Sequence, residues 1–237
     1  MIAPGSFVAV IDDEQLNADT TAGVVSDASL KPVVISRDAG QFPSVSDLLE
    51  MVQSARCEAV ICDHRLSTKG LAQFTGAQFV SQLYQQHIPA VLLSTFAAID
   101  KDDSIRRYRS EIPLVMARSE LAPESLIKGL EYCRDELEGH VAPERQPWRT
   151  LVRIVDVLHD VNQGVVDAVL HNWNPNSAVR FPLEVVDNPE VASALQADFS
   201  GELRVFARVN IGCRDESELF FGGFEVAPEP DVEALGT

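Results

Sequence analysis

Positive charge is scarce in this chain of 237 residues: 19 Lys and Arg stand against 36 Asp and Glu, a formal net charge of −17. The deficit is general, with about 13 basic and 21 acidic side chains in residues 1–147 and about 6 and 15 in residues 148–237. Nucleic-acid binders gain much of their affinity from cations placed on phosphates, so neither part reads as one. The local exception, Arg106, Arg107 and Arg109, reads as a solvated helix face. Long apolar runs are missing too. No stretch approaches the ~20 residues that span a bilayer, and Met1 to Val10 lacks the basic start and extended apolar core of a secretory signal. A cytoplasmic protein without membrane contact is the expectation. Cysteine is sparse and unclustered: Cys57, Cys62, Cys133 and Cys213 form no CxxC pair, so buried free thiols are expected rather than disulfides or a metal site. Internal repeats and low-complexity tracts are absent.

What is present, a hydrophobic share of 46%, is enough for a globular core, and it is arranged in alternating short runs. Phe7-Val-Ala-Val-Ile11 is apolar and β-branched and ends in Asp12-Asp13-Glu14, as a buried parallel strand does when it delivers acids to its C-terminal end. Further strands are expected at Pro32–Ile35, Glu58–Cys62, Pro89–Leu93 and Ile112–Met116, which lead to Asp63, Ser94-Thr95 and Arg118. Between them lie helical patterns: residues 15–28, 46–55 with a cap-like Ser44, 77–86, and a closing helix at 123–137 with Leu126, Leu130, Cys133 and Leu137 on its stripe. Alternation of this kind predicts an α/β unit over residues 1–138 with a flavodoxin-like five-stranded parallel sheet in the order 2-1-3-4-5. Ligands of such sheets bind beyond the C-terminal strand ends, where these polar residues fall.

Residues 139–147 are polar with two prolines and read as a linker. From Trp148 the texture changes to short β-branched runs separated by turn signals, with a clean alternation at Leu203–Ile211. Residues 149–160 fit a strand better than a helix, because Val and Ile dominate. A small all-β output or interaction domain, barrel-like or an open sandwich, is expected over residues 148–227, followed by an acidic frayed tail at 228–237. Core packing is the expected role of Trp148 and Trp173. His159, His171 and Cys213 lack the spacing of a zinc site.

Three carboxylates at neighbouring strand ends repel one another unless a cation neutralises them, and Mg²⁺, a hard ion that takes oxygen ligands and retains waters, suits Asp12, Asp13 and Asp63. Val10-Ile-Asp-Asp-Glu14, Ile61-Cys-Asp-His-Arg-Leu66, Pro89-Ala-Val-Leu-Leu-Ser94 and Met116-Ala-Arg118, in this order, resemble the receiver domain of two-component response regulators. The resemblance implies that Asp63 is the phosphoacceptor and that Asp13, Asp63 and the backbone carbonyl of Arg65 hold Mg²⁺. Asp12 tunes the site, often through a water, and Ser94 is the switch hydroxyl. It also implies phosphotransfer from a histidine kinase or phosphotransfer protein, no enzyme activity beyond self-catalysed phosphotransfer and autodephosphorylation, and repacking of the surface formed by the fourth strand, the helix after it and the fifth strand. A homodimer is compatible with it.

The sequence departs from the family in three places. Arg118 stands where the family has lysine, and a guanidinium keeps the charge but clamps phosphate differently. Residues 67–75 lengthen the loop after Asp63, suited to holding a partner or shielding an aspartyl phosphate from water. Phe96 stands where the family prefers a small residue. Two functions are therefore carried forward: a phosphorylated receiver whose acidic output unit acts by protein contact rather than on DNA, and a phosphorylation-independent pseudo-receiver serving as adaptor or scaffold. A phosphatase of the haloacid dehalogenase type needs a DxD motif, which Asp12-Asp13-Glu14 does not supply. Lys69 is expected as a solvated loop residue, and His64 should face away from Asp63.

Overall fold

The computed structural model describes residues 2–94, 105–159, 164–196 and 199–228. It divides into two compact units, Met1–Ala142 and Pro143–Thr237.

The first unit is built on five parallel strands, β1 (Phe7–Ile11), β2 (Lys31–Ile35), β3 (Ala59–Asp63), β4 (Ala90–Ser94) and β5 (Leu114–Ala117), in the order β2-β1-β3-β4-β5. This is the flavodoxin-like order read from the sequence. The helices are α1 (Gln15–Asp27), α2 (Val45–Ser54), α3 (Gly76–Gln85) and α4 (Pro123–Leu137). Strand side chains alternate between the two covered faces. Ala9, Ile11, Val60, Cys62 and Leu92 pack with Leu48 and Val52 of α2 and Phe79, Val80 and Leu83 of α3. Val8, Val10, Ile61, Val91 and Leu93 pack on the other side with Ala18 and Val25 of α1 and Leu126, Leu130 and Cys133 of α4. Burial on both faces explains why β1, β3 and β4 read as unbroken apolar runs. Helix starts are set locally: the Ser44 hydroxyl accepts from the Asp47 N–H at 3.3 Å while the Asp47 carboxylate accepts from the Ser44 N–H at 3.1 Å, a reciprocal cap on α2. Pro123 opens α4, where its missing N–H costs nothing.

One expectation fails here. Arg106 and Arg109 are 2% and 3% exposed, within a 3₁₀ turn at Arg106–Glu111, and only Arg107 of the three faces solvent. The Arg109 guanidinium donates to the Ile112 carbonyl. A lone basic triplet carries no periodicity from which burial could be read.

The second unit is one antiparallel sheet of β6 (Trp148–His159), β7 (Gly164–Leu170), β8 (Asn174–Pro182), β9 (Leu203–Val209) and β10 (Phe221–Val226), ordered β10-β9-β6-β7-β8. Residues 148–159 are strand, as their β-branched content indicated. The sheet is open, with β10 and β8 at its edges. Its inner face carries Val152, Ile154, Val166, Ala168, Val179, Phe181, Val205, Ala207 and Val209, and packs against Val191 and Leu195 in and beside α5 (Pro189–Ala194), a short helix the sequence reading did not contain. Phe181 stacks on Phe221 with ring centroids 4.3 Å apart. Trp148 is 56% exposed, outside the core expected to hold it, whereas Trp173 packs against the core and donates its indole N–H to the Cys213 carbonyl at 2.9 Å. The polar segment 139–147 is split by the unit boundary. Arg145 is buried over the Phe220 ring, and the Glu144 carbonyl accepts from the side chain of Asn210.

Candidate functional site

Strand register builds the acidic pocket. Ile11 lies opposite Cys62 across β1 and β3, so the next residues, Asp12 and Asp63, emerge side by side. Asp63 lies opposite Leu93 of β4, and Ser94 lies opposite Ala117 of β5, the residue before Arg118. One carboxylate oxygen from each of Asp12, Asp13 and Asp63 comes within 4.8 Å of the others, and this is the one such cluster of metal-type side chains among the described residues. Asp12 and Asp13 are buried, and Asp63 is partly so.

Each carboxylate receives one backbone N–H. Glu14 donates to Asp12 at 2.9 Å, Lys69 to Asp13 at 2.5 Å and Arg65 to Asp63 at 2.8 Å. Arg118 supplies the positive charge. Its Nη2 lies 2.7 Å from Asp12 and 2.5 Å from Asp63, and its Nη1 reaches the Thr21 hydroxyl of α1 at 3.4 Å. Burial opposes the charge on Arg118, but Asp12 and Asp63 more than offset that and hold its pKa above the ordinary value. Burial pushes Asp12 up to about 6, aided by the charge on Asp63 and resisted by the Glu14 N–H and Arg118. Asp13 is raised as well, first by burial and then by Asp63 and Glu14, against the Lys69 N–H. A shift of this size in a strand-end hollow marks a group held away from its preferred state of ionisation.

Three carboxylates against one guanidinium leave two negative charges when all are ionised, the amount one divalent cation cancels. The donors are all oxygen, and Asp13 is not engaged by Arg118, so the set fits Mg²⁺. Ser94, 1% exposed, ends β4. Thr95 and Phe96 lie outside the described residues, as does most of the segment expected to form the helix after β4.

The long loop after Asp63 is packed. Leu66 and Leu71 are fully buried, and the N–H groups of Leu71 and Ala72 both donate to the Leu66 carbonyl, at 3.0 and 3.1 Å. Phe42 and Ala72 form a parallel bridge. This folding carries the Lys69 backbone onto Asp13 while leaving the Lys69 side chain exposed, as expected. The sequence offered no sign of the backbone role, because a main-chain donor has no residue type. Gly76 was also missed. Its N–H donates to the His64 carbonyl at 2.8 Å, and a Cβ there would lie 2.0 Å from the Asp63 carbonyl oxygen, so only glycine lets α3 begin against the end of β3. His64 itself is buried.

No family model matches the sequence, and no curated protein matches it. Among solved structures, the chain is similar to a signal receiver domain of an HD domain-containing protein from Pseudomonas fluorescens, at 13% identity over 59% of this chain and 93% of that one, with a TM-score of 0.42. It is similar to a response regulator receiver domain protein from Clostridium thermocellum, at 12% identity over 57% and 99%, TM-score 0.43. It is also similar to the chemotaxis response regulator CheY4 of Vibrio cholerae, at 19% identity over 54% and 98%, TM-score 0.40. Strand order and register show the fold: the first unit is a flavodoxin-like parallel sheet with acids at the ends of β1 and β3, and an antiparallel β unit follows it.

Proposed function

We propose that the chain is a response-regulator-like signalling protein whose Asp63 accepts a phosphoryl group from a partner histidine kinase or phosphotransfer protein, and whose second unit acts by protein contact. The observation that carries this reading is the convergence of Asp12, Asp13 and Asp63 within 4.8 Å at adjoining strand ends. Asp13, Asp63 and the Arg65 carbonyl would hold Mg²⁺, which when bound offsets charge on the phosphoryl oxygens. An Asp63 carboxylate oxygen forms the new O–P bond as the P–N bond of a phosphohistidine breaks, and the departing imidazole keeps a proton. Little covalent chemistry is left to the protein, so the residues act by position and charge. In this reading Ser94 and Arg118 sense the product, the first by its hydroxyl and the second by trading its carboxylate partners for phosphoryl oxygens. The reading extends to a cytoplasmic location and no catalysis beyond self-phosphorylation and autodephosphorylation. Among the described residues no helix is long and apolar enough to cross a membrane.

The test is incubation of the full chain with acetyl phosphate and Mg²⁺, followed by intact-mass spectrometry. Addition of one phosphoryl group that is lost in Asp63→Asn and in EDTA supports the reading; no addition to the wild type overturns it. One observation favours the adaptor alternative: both oxygens of Asp63 are engaged, one by Arg118 and the other by the Arg65 N–H. In that case Arg118 serves as the permanent counter-ion, and partner binding is the same in wild type, in Asp63→Asn and in EDTA.

A further inference from the structure

The second unit concentrates its scarce cations in one place. Residues 148–237 contain six arginines and no lysine. Along β6 the buried positions are Thr150, Val152 and Ile154, and along β9 they are Val205, Ala207 and Val209. The alternate positions face outward, and register sets them in rows: Arg149 opposite Arg208, Leu151 opposite Phe206, Arg153 opposite Arg204. Arg180 joins the same face from β8, opposite Asp167. Five of the six arginines thus share one face, with Glu202, Glu225, Asp156 and Asp167 about them. The remainder of residues 148–237 holds one arginine and eleven carboxylates.

Like charges placed directly opposite on neighbouring strands destabilise a sheet, and this face has two such pairs, four residues apart along each strand. Glu225 holds Arg149 at 3.0 Å and Glu202 holds Arg153 at 3.0 Å. The guanidinium groups of Arg204 and Arg208 have no ion-pair partner among the described residues, and both side chains are exposed. Between the two Arg rows sits a half-buried apolar pair, Leu151 and Phe206. On β9 the outward sequence is Arg204, Phe206, Arg208: cation, aromatic, cation at alternate residues, ~7 Å apart.

We propose that this face docks a protein segment that presents carboxylates on either side of an apolar side chain. Arginine forks match carboxylates in two-point geometry, and arginine and aromatic residues dominate the energetic centres of protein interfaces. A nucleic acid fits less well. Base stacking needs a free aromatic face, and the Arg149 guanidinium already lies 3.6 Å from the Phe206 ring centroid. The inference deepens the reading of the second unit as a protein-contact output. It rests on that part of the reading and not on chemistry at Asp63.

The probe is a fluorescein-labelled peptide with Glu, Leu and Glu at alternate positions separated by serines, titrated with the full chain at low salt and read by anisotropy. Binding is expected, with loss when Gln replaces Glu. The Arg204→Ala, Arg208→Ala double variant is expected to weaken it by about tenfold or more while its Tm stays the same or rises, because opposed charges are relieved. Arg208→Gln, which retains the side-chain stem, should weaken binding in the same direction. Asp63→Asn should bind as wild type does, so that failure here and failure of acetyl phosphate labelling are separate results. The inference is overturned if the wild type does not bind the peptide, if the double variant binds equally, if an oligouridylate of equal charge binds more tightly, or if the double variant melts well below wild type.

Discussion

The two units treat buried polarity in opposite ways. In the second unit the buried amide of Asn210 is saturated: it donates to the carbonyls of Glu144 and Glu218 at 3.1 and 3.0 Å and accepts from the Phe220 N–H at 2.7 Å. Asp187, at the surface, accepts from the Gly223 and Phe224 N–H groups at 2.6 and 2.9 Å. These contacts pin loops to the sheet. In the first unit, three carboxylates share a hollow with one guanidinium, and a net negative charge persists at neutral pH. The second pattern of bonding completes a fold; the first leaves a site that a cation or a phosphoryl group would complete. The second unit instead carries its unbalanced charge on an exposed sheet face, and among the described residues it has no cluster of carboxylates like that of the first.

The sharpest way to break the comparison is to attack each core. Phe181→Ala empties a fully buried position against Phe221 and should cost about 4 kcal/mol. Both tryptophans, Trp148 and Trp173, lie in the second unit, so urea unfolding followed by tryptophan fluorescence reads the loss there. Gly76→Ala drives a methyl group into the Asp63 carbonyl and should cost roughly 3 kcal/mol in urea melts followed by far-UV circular dichroism.

Electrostatic tests come next. Asp12 binds a proton in the folded chain between its ordinary value of 3.8 and about 6, where the unfolded chain has released it. Stability therefore falls as pH rises through that window and levels off above it, by on the order of 3 kcal/mol at most. Urea melts at several pH values without Mg²⁺ check the slope, which should flatten in Asp12→Asn. Arg118→Ala leaves two carboxylates without their cation and should cost about 2 kcal/mol at pH 7, with much of it regained on adding Mg²⁺. At the small end, Arg180→Ala removes an ion pair to Asp167 from a side chain that is 61% exposed, and should change stability by no more than about 0.5 kcal/mol. A large loss there would mean that the sheet face is structural, contrary to the contrast drawn between the units.

Sequence legibility followed the physics of each part. The parallel sheet was readable because burial on both faces turns β1, β3 and β4 into apolar runs, and a strand end next to an acid needs no long-range information. The acidic cluster was readable for the same reason. The pairing of Arg118 with both Asp12 and Asp63, the Lys69 N–H on Asp13 and the close approach at Gly76 were not, since each joins segments distant in sequence through geometry alone. In the second unit, β-branched content identified β6 and alternation identified β9. α5 is too short, at six residues, to impose a helical period. The arginine face was hidden in the same alternation: register is what turns scattered arginines on β6 and β9 into facing pairs.

The open border of the second sheet has a consequence for self-association. Unpaired strand margins invite another chain to zip alongside and seed fibrils. On one margin, β8 includes Pro175 and Pro182, neither of which has an amide hydrogen to offer an incoming strand. On the other, β10 breaks its register between Gly222 and Glu225, which spoils a straight docking rail. Both rims are thus blunted, which disfavours growth of the sheet by strand addition and leaves its flat, where side chains rather than main chain are on offer, as the surface for the proposed contact.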